Sequence, residues 1–540
     1  MGFMVSPGVT VKEWDLSGII PGVATTAGAT VGAFQWGPIE ELMIIGNETD
    51  LIRYFGKPNS DTFEYFYTAR NFLAYGNRLN LIRVTDKQVA MNAASDPANA
   101  ELIENRKKFE MDTTLPSTFY AKYPGILGNS IKVIVATATT YASIPAQLQR
   151  FMPSIPTGNE MHILVLDALG AWTGEVDEII ETFSYLSTLP GDRKPDGSPA
   201  YYVEVLNRAS GYLYAMENAL LDLAGGYSVT LAGGVDGNST LTTGDFMLGY
   251  DLISDPEQVD VSLIPIGPMR LNGPVNRALA TYVINNIAEK RMDCVVCISA
   301  PRECVIDNYG HELLDVKTEV DLYPSSSYSV YDSGWKYQYD KYNDVFRWLP
   351  LNGDIAGLCV RTDMVADPWW SPAGYNRGQI KDVVKLAWNP KQHERDVLYP
   401  ARVNPVCQFP GEGTILYGDK TMQTKPSAFD RINVRRLFIV LEKAIAKAAK
   451  YMLFELNDKY TRLNFKNMVE PFLRDIQGRR GIYDFKVVCD ESNNTPEVID
   501  RNEFVASIFI KPARSINFIT LNFVAVRTGV NFDEVVGQIQ

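Results

Sequence analysis

Residues 293–299 read DCVVCIS, apolar at consecutive positions instead of alternate ones, which is the signature of a strand buried on both faces. Residues 79–84, 131–137, 162–166, 201–206 and 259–266 are predicted strands of the same kind, and a small-residue strand is expected around 30–34. Helical spacing separates them at 50–55, 63–75, 175–186, 213–221 and 275–291. A strand with two buried faces needs helices above and below it, so this alternation predicts an α/β fold with a mostly parallel sheet. The chain has 540 residues, more than one hydrophobic core usually organises, so several domains are expected.

Other segments do not fit that pattern. Near the N-terminus Val9 and Val11 alternate with Thr10 and Lys12, between Pro7, Gly8, Gly18 and Pro21. A strand so isolated has no partner for its backbone groups and must find one elsewhere. Residues 87–118 are polar and then charged, as a surface excursion would be. A long helix is predicted over 433–457, with Leu437, Leu441, Ile445, Ala448, Met452 and Leu456 on one face and Arg436, Lys443, Lys447 and Lys450 opposite. A hairpin of 504–510 and 516–526 should follow. Asp50 is the expected cap of the helix 50–55.

Composition removes several functions. A net charge of −13 opposes binding to nucleic acid, and no basic tail offsets it. Six cysteines in so long a chain fit free thiols, and no run is apolar enough to span a bilayer. Gly418, Asp419, Lys420 and Thr421 end like a phosphate loop, but Asp419 replaces the glycine that should precede the lysine. Cys294 and Cys297 have redox spacing inside a buried strand, where they read as small hydrophobes. His162, His311 and His393 form no pair at helical spacing and have no visible nucleophile partner. No catalytic, cofactor or metal residue is predicted. The aromatic run 323–348 reads as a packed seam or a protein interface.

Two C-terminal blocks carry a resemblance. GDKTMQTKPSAFDRINVRRLF (418–438) and GIYDFKVVCDESNNTPEVIDRNEFVASIFIKPARSINFITLNF (481–523) closely resemble the core of contractile-tail sheath proteins of the T-even bacteriophage type. SPGVTVKEW (6–14), GAFQWGP (32–38), NFLAYGNRLNLIRV (71–84), KYQYDKYNDVFRWLPL (336–351), DIAGLCVRTD (354–363) and SPAGYNRGQI (371–380) follow the order such proteins show. The departure lies after Val84, where T-even relatives carry a large inserted domain and this chain a short polar segment.

The resemblance implies a structural protein and no enzyme. It implies a discontinuous α/β (α+β multidomain) sheath core from 21–86 and 354–528, with a linker at 87–118, an inserted α/β domain at 119–353 and arms at 1–20 and 529–540. It further implies protomers polymerised as stacked hexameric rings around a tail tube, contracting to drive the tube through the host cell envelope. Implied partners are further copies, the tube protein, and baseplate and tail terminator proteins, with no nucleic acid and no direct membrane insertion. The place is the virion tail, after assembly in the host bacterial cytoplasm. Val9, Thr10, Val11 and Lys12 are the expected inter-subunit arm. Because such cores look inward, Arg436, Lys443, Lys447 and Lys450 are the expected tube-facing residues. A genome-free contractile injection particle (bacteriocin or secretion type) would use the same motifs. A tail-associated hydrolase or glycan-binding protein would need a carboxylate pair or nucleophile that the sequence does not display.

Overall fold

The computed structural model describes residues 24–111, 115–217 and 227–517. At its centre is a seven-stranded sheet in the order Val403–Asn404, Ser329–Asp332, Val295–Ser299, Leu263–Pro265, Gly28–Gly32, Leu79–Arg83, Leu42–Ile45. Neighbouring strands are parallel except Leu42–Ile45, which runs antiparallel to Leu79–Arg83. Helices Phe63–Leu73 and Asn352–Val365 cover one face. Thr243–Asp251 and the helical run from Arg277 to Arg291, π-helical over Val283–Ala288, cover the other. One core holds residues from Ala29 to Ile439. The two helices of the first face touch through glycine: a Cβ on Gly353 would stand 2.4 Å from the Thr68 carbonyl oxygen.

Several expectations change here. The first helix is Glu48–Phe55, capped by Asn47 and not Asp50: the Asn47 side chain accepts the Asp50 N–H at 2.8 Å. The strands expected in a separate insert over 259–266 and 294–299 lie beside Gly28–Gly32 in the central sheet. What is inserted is shorter. The chain leaves the sheet at Thr85 and Asp86 and returns at Asp236 and Gly237, where Thr85 Oγ1 donates to the Asp236 carbonyl and Asp86 N to that of Gly237.

The insert is antiparallel. Glu178–Ser187, Glu160–Asp167, Ile131–Thr137 and Ser228–Thr230 form one sheet, and Phe119–Ala121 pairs with Leu213–Ala215. Thus the stretch expected as a helix over 175–186 holds strand Glu178–Ser187, Tyr202–Ala209 is helix in place of the strand expected over 201–206, and the expected helix 213–221 begins as strand Leu213–Ala215. Each stretch is short, so tertiary pairing overrides local preference. The 87–118 segment is no loose excursion either. Ala93, Ala94, Ile103 and Phe109 are buried, and the Phe109 ring stacks on Tyr214 at 4.0 Å. At the junction Trp36 meets Trp172 edge-on at 4.9 Å. The buried Arg83 guanidinium beneath it donates to the Gly37 and Pro124 carbonyls, and burial pushes its pKa down to about 9.

A third core lies at the C-terminal end, where helices Ile432–Ala449 and Lys459–Gly478 pack with Ile482–Val488 and Ser507–Pro512. The helix expected over 433–457 stops at Ala449. Ser507–Pro512 pairs with Ile482–Val488, and the expected partner 516–526 lies mostly outside the described residues. The arms 1–20 and 529–540 also lie outside them.

Asp332 shows what the central sheet costs. Fully buried at a strand end, it accepts from Gly334 N and Ser299 Oγ, both at 2.9 Å, with no cation beside it among the described residues. Burial, reinforced by nearby Asp354 and only partly offset by those two donors, raises its pKa to about 8. An unfolded Asp titrates near 3.9, so the native protein holds a proton that the unfolded chain releases between these values. Stability from this group is complete at low pH and is lost as pH rises from about 4 through about 8. Asp332→Asn is therefore expected to gain stability relative to the unchanged protein between pH 5 and pH 8. The gain should exceed about 1.4 kcal/mol, the free energy of a tenfold change in proton affinity, in urea unfolding at both values.

Candidate assembly surfaces

Helix Ile432–Ala449 starts where Arg431 meets Asp419 and runs between two cores. Leu437, Leu441, Ala444 and Ala448 are buried, the two leucines in the C-terminal core, while Ile432 and Ile439 enter the central one. A helix buried on two sides leaves little room for a free cationic face, and the four cations divide accordingly. Arg436 is buried: Nη2 donates to Asp363 at 2.6 Å and Nη1 to the Cys359 carbonyl at 3.2 Å. Burial alone would lower its pKa; the Asp363 carboxylate reverses that and raises it. The side chain of Lys443 is 14% exposed, and its Nζ meets Asp260 at 3.0 Å, Asp293 at 3.2 Å and the Val261 carbonyl at 2.9 Å. These two are clamps within the protomer, not tube-facing residues. Apolar periodicity reports one buried side and is blind to a second side buried through ion pairs.

Lys447 and Lys450 remain on the surface. Lys450, 64% exposed, reaches Glu257 at 3.1 Å in a solvated pair. Beyond them the chain leaves the α-helix and turns Tyr451, Leu453, Phe454 and Leu456 outward, so of the expected apolar stripe Met452 still packs on the C-terminal core and Leu456 does not. Lys443→Glu should put a carboxylate against Asp260 and Asp293 and cost about 1–3 kcal/mol of protomer stability. Lys447→Glu should stay within about 0.5 kcal/mol. Urea melts of the two variants check the contrast.

The phosphate-loop-like residues, the cysteines and His162 are occupied structurally. Asp419 accepts from Tyr399, Arg431 and Ser515, Lys420 lies 4.6 Å over the Tyr399 ring, and Thr421 donates to the Phe429 carbonyl. The six cysteines are free and buried; burial pushes the Cys294 thiol up to about 12. His162 is buried between the Tyr185 N–H and the Ser154 carbonyl, and burial lowers its pKa. His311 and His393 are exposed. Among the described residues no cluster is placed to hold a metal ion, and no helix is long and apolar enough to cross a membrane.

The Ile482–Val488 and Ser507–Pro512 pair is a two-stranded sheet whose outer edges have no strand beside them among the described residues. Sequence pattern anticipated strand at 504–510 but not its partner, because register is set by packing against helix Lys459–Gly478.

Comparison with known proteins converges on one family. The model of the tail sheath protein Gp18 domain III N-terminal region matches residues 25–84, that of the phage tail sheath protein central domain 258–422, and that of the phage tail sheath C-terminal domain 424–525. The tail sheath protein of Enterobacteria phage T4 is 34% identical over 655 residues, covering 99% of both chains. That of Vibrio phage KVP40 is 34% identical over 681 residues, covering 99% of this chain and all of its own. Both alignments are longer than this chain, so those relatives carry stretches without a counterpart here. Solved structures agree in fold. The sheath tail protein of Listeria innocua superposes with a TM-score of 0.54 at 13% identity, covering 90% of this chain and 94% of its own. The helical sheath of the anti-feeding prophage in its contracted state gives 0.53 at 13%, covering 97% and 99%. Matched end to end at such identity, with the three domain models in order along a shared fold, this chain belongs to the contractile phage tail sheath proteins.

Proposed function

We propose that this protein is the structural protomer of a phage tail sheath and not an enzyme. It polymerises as stacked hexameric rings around a tail tube, and contraction of the sheath drives the tube through the host cell envelope. The observation that carries this reading is end-to-end similarity to two tail sheath proteins. A contact whose rotation does not close builds a helix of any length from one chain, and the difference in packing between two arrangements of that lattice supplies the work. Baseplate and tail terminator proteins bound the polymer, which is assembled in the host cytoplasm and carried in the virion. The sheath of a genome-free injection particle is the second reading, favoured by the likeness to the anti-feeding prophage sheath.

Burial of Arg436 and Lys443 confines the tube-facing cations to Lys447 and Lys450. An exposed ion pair is worth only about 0.2–1 kcal/mol, but it recurs on every subunit and yields readily. Negative-stain microscopy of the purified protein with and without tubes tests the reading: striated tubular polymers are expected, and their absence under all conditions sinks it. The double variant Lys447→Glu, Lys450→Glu should keep the polymer but lose at least about tenfold in tube coverage at low salt.

A further inference from the structure

The hairpin of Trp335–Asp340 and Val345–Pro350 is inverted relative to a solvated sheet. Its polar side is buried: Lys336 pairs with Asp354 at 2.9 Å, Gln338 is enclosed, and Asp340 accepts the Tyr67 hydroxyl at 2.9 Å and Arg347 at 2.9 Å. Its aromatic side faces out. Tyr337 opposes Trp348 and Tyr339 opposes Phe346, with ring centroids 4.7 and 5.2 Å apart, and Tyr339 and Phe346 are 44% and 49% exposed. Lys385 lies over Tyr337 and Trp348 at 4.9 and 5.3 Å, and no carboxylate pairs with it among the described residues.

The neighbouring hairpin, Val406–Phe409 with Gly413–Leu416, repeats the arrangement. It is tied to the Lys385 segment through reciprocal bonds of Asn389 and Gln408, and Arg395 lies 5.6 Å over both Phe409 and Tyr417, again without a carboxylate among the described residues. In a chain of net charge −13, cations resting on half-buried rings beside exposed Tyr339, Phe346 and Tyr417 form a surface suited to an acidic, partly apolar partner.

The opposite helical layer carries such a surface. In helix Glu312–Val320 and the turn before it, Tyr309 and Leu314 are exposed beside Asp307, Glu312 and Asp315, none of which pairs with a Lys or Arg among the described residues. Glu319 fixes this helix to Arg277 at 2.9 Å, within the layer of helix Arg277–Tyr282, whereas the aromatic hairpin rests on helix Phe63–Leu73 of the other layer.

We propose that the aromatic, cation-bearing face of one protomer docks on the acidic Glu312–Val320 helix of a second copy. Charge complementarity selects this occupant, and the two patches are different surfaces of the chain, the aromatic hairpin resting on helix Phe63–Leu73 and the acidic helix held to Arg277, so the contact is heterologous and propagates. The inference rests on the sheath reading and adds to it the two surfaces that meet.

Cysteine pairs test it, since the six native thiols are buried. Phe346→Cys and Leu314→Cys variants, each with an unchanged melting curve, are polymerised alone, together and combined in one chain, then oxidised. A disulfide dimer in the mixture, a ladder from the doubly substituted chain, and no dimer from either single variant are expected. Polymers visible by microscopy without the mixed disulfide, or dimers of a single variant, overturn this contact while leaving the sheath reading intact. Failure of every sample to polymerise overturns both. In the same assay Lys385→Glu with Arg395→Glu should raise the concentration needed for polymer at least tenfold, and adding Asp307→Lys and Asp315→Lys should restore it.

Discussion

Removing residues 1–20 is expected to turn a polymerising protein into a folded monomer. Among the described residues the sheet of Ile482–Val488 and Ser507–Pro512 has two strands, and its outer edges are unpaired. Two strands are marginal alone, and open edges are templates for another strand. Val9, Thr10, Val11 and Lys12 have the alternation of such a strand and no neighbour across a tight turn to pair with. Net contributions of about 0.5–1.5 kcal/mol per main-chain hydrogen bond give a four-residue strand roughly 2–5 kcal/mol per contact. Losing that raises the concentration required for assembly by about thirtyfold or more. Sedimentation velocity should find monomer with native circular dichroism; tubes indistinguishable from those of the full chain would refute arm exchange.

Arg436→Ala should be the most damaging single change in the C-terminal half, costing about 3–5 kcal/mol because it leaves Asp363 charged and buried without its partner. The pair is 2.6 Å long and nearly inaccessible on both sides, and it ties helix Ile432–Ala449 to helix Asn352–Val365. Replacing both members, Arg436→Met with Asp363→Leu, should recover most of the loss, since apolar side chains of similar size remove the desolvation cost. Urea unfolding of the two variants measures the difference. A double variant no more stable than Arg436→Ala would mean that the Cys359 carbonyl bond or the local shape, and not the stranded carboxylate, dominates.

Much of the central sheet was legible because its strands are apolar on both faces and bounded by clear stops. Residues 79–84 and 294–299 needed no tertiary information to be recognised as strands, and Gly56, at φ 79°, ends the first helix where a left-handed residue is required. The insert was less legible. The EIIETFSYLS stretch satisfies helical and strand periods alike, and only pairing with Glu160–Asp167 selects the strand.

The assembly surfaces divide in the same way. Composition and motif order along the chain determined its kind: an acidic α/β protein without a catalytic constellation, with the blocks of a sheath core in sequence. Periodicity also marked Leu437 and Leu441 as buried, since an apolar face must find a core wherever it lies. Only the tertiary structure decided that Arg436 and Lys443 turn inward while Lys447 and Lys450 do not, and that Lys336 is buried while Tyr339 and Phe346 are not. A cation's placement depends on whether a distant carboxylate is brought within about 3 Å of it, and an aromatic ring's on which face of its hairpin the helices already occupy. Asp363, Asp260 and Asp354 lie 73, 183 and 18 positions from the cations they hold, separations that local pattern does not register.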